Sequence, residues 1–197
     1  QAGAIEFLYN VAGVGTRALS DLPVGGHMDI VGPLGNTFVF EPGFTRIMVV
    51  ARGVGLATMA PLLQHADKAG VRITAVMSAR APKDLMRDEF LRGVDADVHC
   101  VYDSDGTSAV AAVDTLVRGL LDAQHHDAVY TCGSHRILMM LQDVLRDYPE
   151  TRGEVAMEQR MACGMGVCLS CVRLFGQDGD KHFLRVCREG PVFPIRD

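Results

Sequence analysis

Four cysteines crowd into the last 35 residues: Cys163, Cys168, Cys171 and Cys187, spaced C-x4-C-x2-C-x15-C. Thiolates at such spacing bind soft metals, and two chemistries compete for them. A [2Fe–2S] cluster takes four cysteines, and C-x4-C-x2-C is an established spacing for its first three ligands. Structural zinc also takes four, most often as two C-x2-C pairs, which the wider first loop fits poorly. The residues between the ligands favour the cluster. Gly164, Gly166 and Ser170 are small enough for the chain to wrap closely, and glycine adopts the turns this requires. Backbone N–H groups can then point at the sulfurs. The expected metal ligands are therefore Cys163, Cys168, Cys171 and Cys187. A disulfide framework belongs to small secreted scaffolds, and a chain of 197 residues is not one.

A second group lies after the apolar run 45–51 (TRIMVVA), where Arg52-Gly53-Val54-Gly55 opens a helical segment. Gly53 and Gly55 would let a phosphate-bearing ligand approach the backbone at a helix N-terminus, which favours anions. The same pattern also serves as a plain strand-to-helix connection. Ser78-Ala79-Arg80 follows the next strand. Arg80 can meet a ribose phosphate there or stand solvated in its loop. No acidic residue ends that strand, so the choice between NAD and NADP stays open. Tyr130-Thr131-Cys132-Gly133 ends a further strand, and Cys132 reads either as a functional thiol or as a buried core cysteine. Cys100, the methionines at 139, 140, 157 and 161, and the pair His125-His126 read as core, packing and loop residues respectively.

The elements that must position these groups follow from periodicity. Residues 5–11 alternate and are β-prone, Thr16 can cap a short helix reaching about Leu22, and 27–40 holds two strand-like runs split by Gly32-Pro33-Leu34-Gly35-Asn36. This part reads as antiparallel β. From Thr45 the texture changes to strands at 45–51, 71–77, 97–102, 127–132 and 154–159, separated by helices at 56–69, 83–92, 108–122 and 135–147. Such alternation predicts a parallel α/β sheet. The expected domains are 1–42, a partial β domain; 43–158, an α/β domain; and 159–197, the cysteine domain.

Composition narrows the function. Hydrophobic residues make up 48% and the formal net charge is −5, with no Lys/Arg cluster and no Trp, so a nucleic-acid surface is not expected. The apolar runs are too short to span a bilayer, and no signal peptide is visible. A cytoplasmic, membrane-free protein is the expectation.

Glu158-Gln159-Arg160-Met161-Ala162-Cys163-Gly164-Met165-Gly166-Val167-Cys168 and Arg185-Val186-Cys187-Arg188-Glu189-Gly190-Pro191-Val192-Phe193 resemble the C-terminal end of the electron-transfer subunits of dihydroorotate dehydrogenase, within the ferredoxin–NADP reductase superfamily. The resemblance covers nearly the whole chain. It implies an FAD domain built on a β-barrel, a pyridine-nucleotide-type α/β domain and a cluster domain, in that order. Leu8-Tyr9-Asn10 and Gly15-Thr16 then match the family's second flavin-binding stretch, with the tyrosine along the flavin and the Gly-Thr turn at the pyrophosphate. The first flavin motif has no counterpart in these residues, so only part of the barrel is expected. Cys132 and Gly133 resemble the superfamily's C-G-P-x-x-M motif, which places Cys132 beside the nicotinamide and flavin rings. Ser134 stands where proline is usual, Arg52 where glycine is frequent, and Thr58 where proline is frequent. The implied cofactors are a [2Fe–2S] cluster, FAD and NAD(P). The implied partner is an FMN-type dehydrogenase subunit in a hetero-oligomer. Competing implications are a reductase subunit of an NADPH–ferredoxin oxidoreductase-like complex, or a cluster-binding subunit without flavin.

Overall fold

The structure, a computed structural model, describes residues 3–85, 91, 93–176 and 180–196. The chain divides into two compact units, Gln1–Pro33 and Leu34–Asp197. In the first unit the regular element is helix α1 (Val14–Ser20), with none of its residues buried. The Thr16 hydroxyl accepts from the amides of Ala12 and Gly13 at 2.9 and 3.0 Å, so the residue acts inside the turn it was expected to cap. The strands expected over 5–11 and 27–40 do not form among the described residues; the sole pairing there is an isolated bridge, Asn36 to Pro191. A strand exists only through a partner's hydrogen bonds, whatever the β-propensity of its residues. Ile5 and Phe7, 72% and 54% exposed, have no facing strand to pack against. The expected partial antiparallel barrel is therefore corrected to irregular chain plus one short helix.

The second unit is built on a six-stranded sheet. Its elements are β1 (Arg46–Arg52), α2 (Gly55–Lys68), β2 (Arg72–Ala79), a 3-10 turn (Pro82–Asp84), β3 (Ala96–Tyr102), α3 (Val110–Ala123), β4 (Ala128–Cys132), α4 (His135–Val144), β5 (Arg152–Ala156), β6 (Val172–Phe175), β7 (His182–Arg185) and β8 (Val192–Pro194). The sheet order is β3-β2-β1-β4-β5-β8, and β6 and β7 form a separate antiparallel hairpin. Strands β1 to β5 are parallel, as the alternation predicts, and β8 returns antiparallel to β5. Most of the helix expected at 83–92 lies outside the described residues.

Burial explains the unbroken apolar strands. Along β1, Ile47, Val49 and Ala51 face a core with Leu56, Met59 and Leu63 of α2, while Met48 and Val50 face the core of α3 and α4. Each residue from Ile47 to Ala51 thus has apolar cover, and burying a large apolar side chain contributes about 1.5–3 kcal/mol. Residues 38–40, expected as strand, instead form a strap fixed by side chains. Val39 N donates to Glu154 Oε2 at 2.8 Å, Tyr130 Oη donates to Val39 O at 2.6 Å, and Phe38 packs edge-on against Tyr130. Arg152 balances the buried Glu154 carboxylate at 2.9 Å.

His126 lies in the loop just before β4, as expected, yet is 2% exposed. Its Nδ1 lies 2.9 Å from the Gln124 carbonyl and its Nε2 3.0 Å from Thr74 Oγ1. A neutral ring satisfies both, donating to the carbonyl and accepting from the hydroxyl. Burial pushes its pKa below the ordinary value. Below the unfolded value of about 6.5 the unfolded chain takes the proton first, so stability falls with pH there. The expected outcome is a larger stability loss between neutral and mildly acidic pH in the wild type than in His126→Gln, measured by urea denaturation.

Among the described residues, no helix is long and apolar enough to cross a membrane.

Candidate metal centre and nucleotide crevice

The four C-terminal cysteines sit on an irregular loop ahead of β6 and on the turn after β7, and all four are free thiols. Their sulfurs stand as two pairs. Cys171 Sγ lies 3.2 Å from Cys187 Sγ, both buried. Cys168 hydrogen-bonds to Cys163, whose sulfur also faces the amides of Met165 at 3.4 Å and Cys168 at 3.5 Å. These amides, with that of Val167, hold the Cys163 thiol down to about 6. Cys171 is lowered by the Cys187 amide, while Cys187 is raised chiefly by its contact with the Cys171 thiol. The Gly166 amide faces Cys187. Each sulfur pair could take one iron, with amide donors already aimed at anionic sulfur. Among the described residues, no three His, Cys, Asp or Glu side chains gather as around one ion. Two sulfur pairs with amides aimed at them fit a two-iron cluster.

Backbone geometry makes this wrapping possible. Gly164 and Gly166 have φ of +68° and +82°, and a Cβ on Gly166 would lie 2.9 Å from Arg188 Cδ. Leu169 also has φ of 60°, which costs about 1–2 kcal/mol for a residue with a Cβ. Arg185 joins the two halves of the site. It donates to Glu189 through its amide at 2.7 Å, through Nε at 3.0 Å and through Nη2, and its Nη1 donates to the Gly166 carbonyl at 3.0 Å. Arg185 in turn holds the Glu189 carboxyl down to about 2.

The second group gathers where the parallel strands end. The sheet order reverses between β1 and β4, the switch point at which ligands bind in open α/β sheets. The turn after β1 packs on the turn after β4: a Cβ on Gly55 would lie 2.8 Å from the Cys132 carbonyl oxygen, and one on Gly133 3.0 Å from that of Arg52. Glycine at both positions is thus demanded by the two turns themselves. Gly53 has φ of +56°, and nothing lies within 4 Å of where its Cβ would be. Cys132 is buried, its thiol donates to Thr58 Oγ1 at 3.6 Å, and burial pushes its pKa up. Ser134 caps α4 by accepting from Ile137 N at 3.5 Å, which gives the residue that replaces proline a use. Cys132, Gly133, His135, Glu158 and Arg173 line a cavity of ≈ 350 Å³ at this strand end.

Arg52 is occupied. It forks onto Asp103, Nη2 to Oδ2 at 2.6 Å and Nη1 to Oδ1 at 3.0 Å, and also donates to Ser78 Oγ at 2.8 Å. The pair holds Asp103 down to about 2. Arg80 stands exposed at the end of β2. Leu8, Tyr9, Asn10, Gly15 and Thr16 all lie in the first unit. Tyr9 is half-buried, Leu8 and Asn10 are exposed, and nothing lies within 4 Å of a Cβ on Gly15 in the first turn of α1.

A family model for the iron-sulfur cluster binding domain of dihydroorotate dehydrogenase B matches residues 158–197, the segment that carries all four paired cysteines. The dihydroorotate dehydrogenase B (NAD(+)) electron transfer subunit of Desulforamulus reducens is 30% identical over 192 residues, covering 98% of this chain and 73% of its own. The chain belongs to this electron transfer subunit family. The corresponding subunit of Bacillus velezensis is 32% identical over 200 residues, covering 100% and 75%. A solved structure of an NADH-dependent reduced ferredoxin-NADP oxidoreductase, studied for flavin-based electron bifurcation, is 28% identical with a TM-score of 0.73, covering 95% of this chain and 66% of that one.

Within this family frame, several residues that the structure brings to the two sites were missed by sequence reasoning. Thr58 was visible only as a departure from a pattern, and it turns out to be the partner of Cys132. Asp103 is two strands on from Arg52 in the chain, and no local spacing links them. Arg185 and Glu189 stand four apart, a detectable ion-pair spacing, but their purpose shows only through Gly166.

Proposed function

We propose that this chain passes electrons between a partner flavoenzyme of the dihydroorotate dehydrogenase type and NAD(P), with Cys163, Cys168, Cys171 and Cys187 holding a [2Fe–2S] cluster. The observation that carries the reading is the pairing of the four sulfurs under aimed amides inside the family-matched segment. When bound, the cluster supplies one-electron transfer and FAD converts it to and from hydride transfer.

The chain's residues divide the remaining work. The amides of Met165, Val167 and Cys168 favour anionic sulfur at Cys163. Cys132 and Gly133 form the floor of the crevice for the nicotinamide, with the thiol kept neutral by burial. Gly53 leaves an open approach for the pyrophosphate, and Arg80 offers a charge to the adenosine end. Leu8, Tyr9, Asn10, Gly15 and Thr16 are the flavin residues of this reading, supported by the family resemblance and the open first turn of α1. The proposed division is a partial flavin domain at 1–42, a nucleotide domain at 43–158 and a cluster domain at 159–197. A cytoplasmic setting is part of this reading, because a cluster held by four cysteines needs them as thiolates and not as disulfides. A second reading, a reductase subunit serving a ferredoxin-type complex, is favoured by the likeness to the ferredoxin-NADP oxidoreductase structure.

Electron delivery needs a side of the cluster open to a partner. Met165, Val167 and Leu169, between the ligands, are all exposed, Val167 at 78%. Leu174 and Phe183 stand directly opposite each other on the β6–β7 hairpin and are exposed as well. Contiguous exposed apolar groups mark interaction sites, and this loop is the proposed contact with the dehydrogenase subunit. Met165→Asp and Val167→Asp should each weaken the complex roughly tenfold or more while leaving visible absorption intact. The check is co-purification and titration against the partner, whose identity also separates the two readings. Unchanged affinity in both variants excludes the loop as the contact.

A further inference from the structure

The structure assigns Arg185 the role of positioning residue for the cysteine site: it braces the first cysteine loop against the segment carrying Cys187 and polarises the peptide that faces Cys163. This rests on the cluster reading above, and it adds a residue that is not a ligand.

Three observations carry it. The Arg185 guanidinium donates to the carbonyl of Gly166, within the first cysteine loop, from the end of β7, two residues before Cys187. The Gly166 carbonyl and the Val167 N–H belong to one peptide unit, and that N–H faces Cys163. A cation on the carbonyl end strengthens the donor at the other end, since hydrogen bonds in a chain polarise one another. Finally, Glu189 takes three donors from Arg185, its amide, Nε and Nη2, which fixes the side chain's direction and offsets its charge.

Gly166 is the hinge of this arrangement. It is buried with φ of +82°, its own amide faces Cys187, and Arg185 Nη1 lies 3.5 Å from where its Cβ would be. One glycine thus presents its amide to Cys187 and its carbonyl to the cation, and the peptide it begins ends in the N–H that faces Cys163. Reduction adds negative charge to an already anionic group, so a nearby cation favours the reduced form and a nearby carboxylate opposes it. Arg185 and Glu189 should therefore act in opposite directions on the reduction potential, although both brace the same loop.

The test uses the full chain, purified anaerobically, as wild type, Arg185→Gln, Arg185→Lys and Glu189→Gln. Iron and acid-labile sulfide are measured first, then the potential by redox titration of the visible absorption. Arg185→Gln should lower the reduced-to-oxidised ratio at fixed poise about tenfold, which is 59 mV for one electron. Glu189→Gln should raise that ratio, and Arg185→Lys should fall between wild type and Arg185→Gln. Shifts of the same sign in Arg185→Gln and Glu189→Gln, or no shift in either, would overturn the proposal, because a purely structural brace predicts one or the other. Where Arg185→Gln fails to hold iron, Glu189→Gln decides: an upward shift supports the role and any other result overturns it. Wild-type protein without iron and sulfide would instead bring down the cluster reading itself, and this proposal with it.

Discussion

Cys187→Ser is expected to lower iron and acid-labile sulfide by roughly tenfold or more, since even second-shell changes cost metal sites 10–100-fold. Cys187 is 5% exposed and its sulfur lies 3.2 Å from that of Cys171. Removing it leaves Cys171 as the only thiolate of its pair. Cys132 provides the control. Its thiol is hydrogen-bonded to Thr58 at the end of β4 and takes no part in either sulfur pair. Cys132→Ala should therefore keep its iron while reacting more slowly with NAD(P)H. Iron retained in Cys187→Ser, or lost from folded Cys132→Ala, would show that the ligands are wrongly assigned.

Gly35→Val should lower stability by about 3 kcal/mol, from backbone strain together with overpacking. Gly35 has φ of +72°, and a Cβ there falls on the carbonyl oxygen of Gly190 and on the Pro191 ring. The neighbouring Asn36 donates to that same carbonyl through its amide at 2.6 Å, and through Nδ2 to the Glu189 carbonyl at 2.6 Å. The substitution thus pushes residues 35–36 away from the segment that follows Cys187. For a unit of this size the melting temperature should drop on the order of 10 °C, measured by thermal denaturation. Gly43→Ala is a useful companion: it has φ of +100° but no atom within 4 Å of a Cβ, so it carries strain without a clash and should cost less.

The α/β part was legible because β1, β2 and β4 are buried on both faces. An unbroken apolar run between helical segments needs apolar cover on both sides, and a parallel sheet flanked by helices provides it. The grouping of the four cysteines was legible because three of them are close in sequence. What escaped depended on partners. Residues 5–11 have the alternation of a strand, but alternation specifies a face and does not supply a neighbour. Val39 and Phe38 looked like strand and are held by Glu154 and Tyr130, more than ninety residues away. His125 and His126 looked alike, yet His125 is exposed while His126 is enclosed by Thr74 and Gln124. Arg52 and Asp103 meet only because β1, β2 and β3 lie side by side.

Strand β8 follows the last cysteine and lies along β5, with Val155 opposite Phe193. Without it, β5 would offer an open row of amides and carbonyls to any passing chain, the usual route to edge-to-edge aggregation. The segment that carries the thiols therefore also seals the sheet. A protein whose cysteine loop comes apart, by oxidation or by loss of metal, places that seal at risk. Loss of redox competence and loss of solubility would then arrive together, as a single event on the way to clearance.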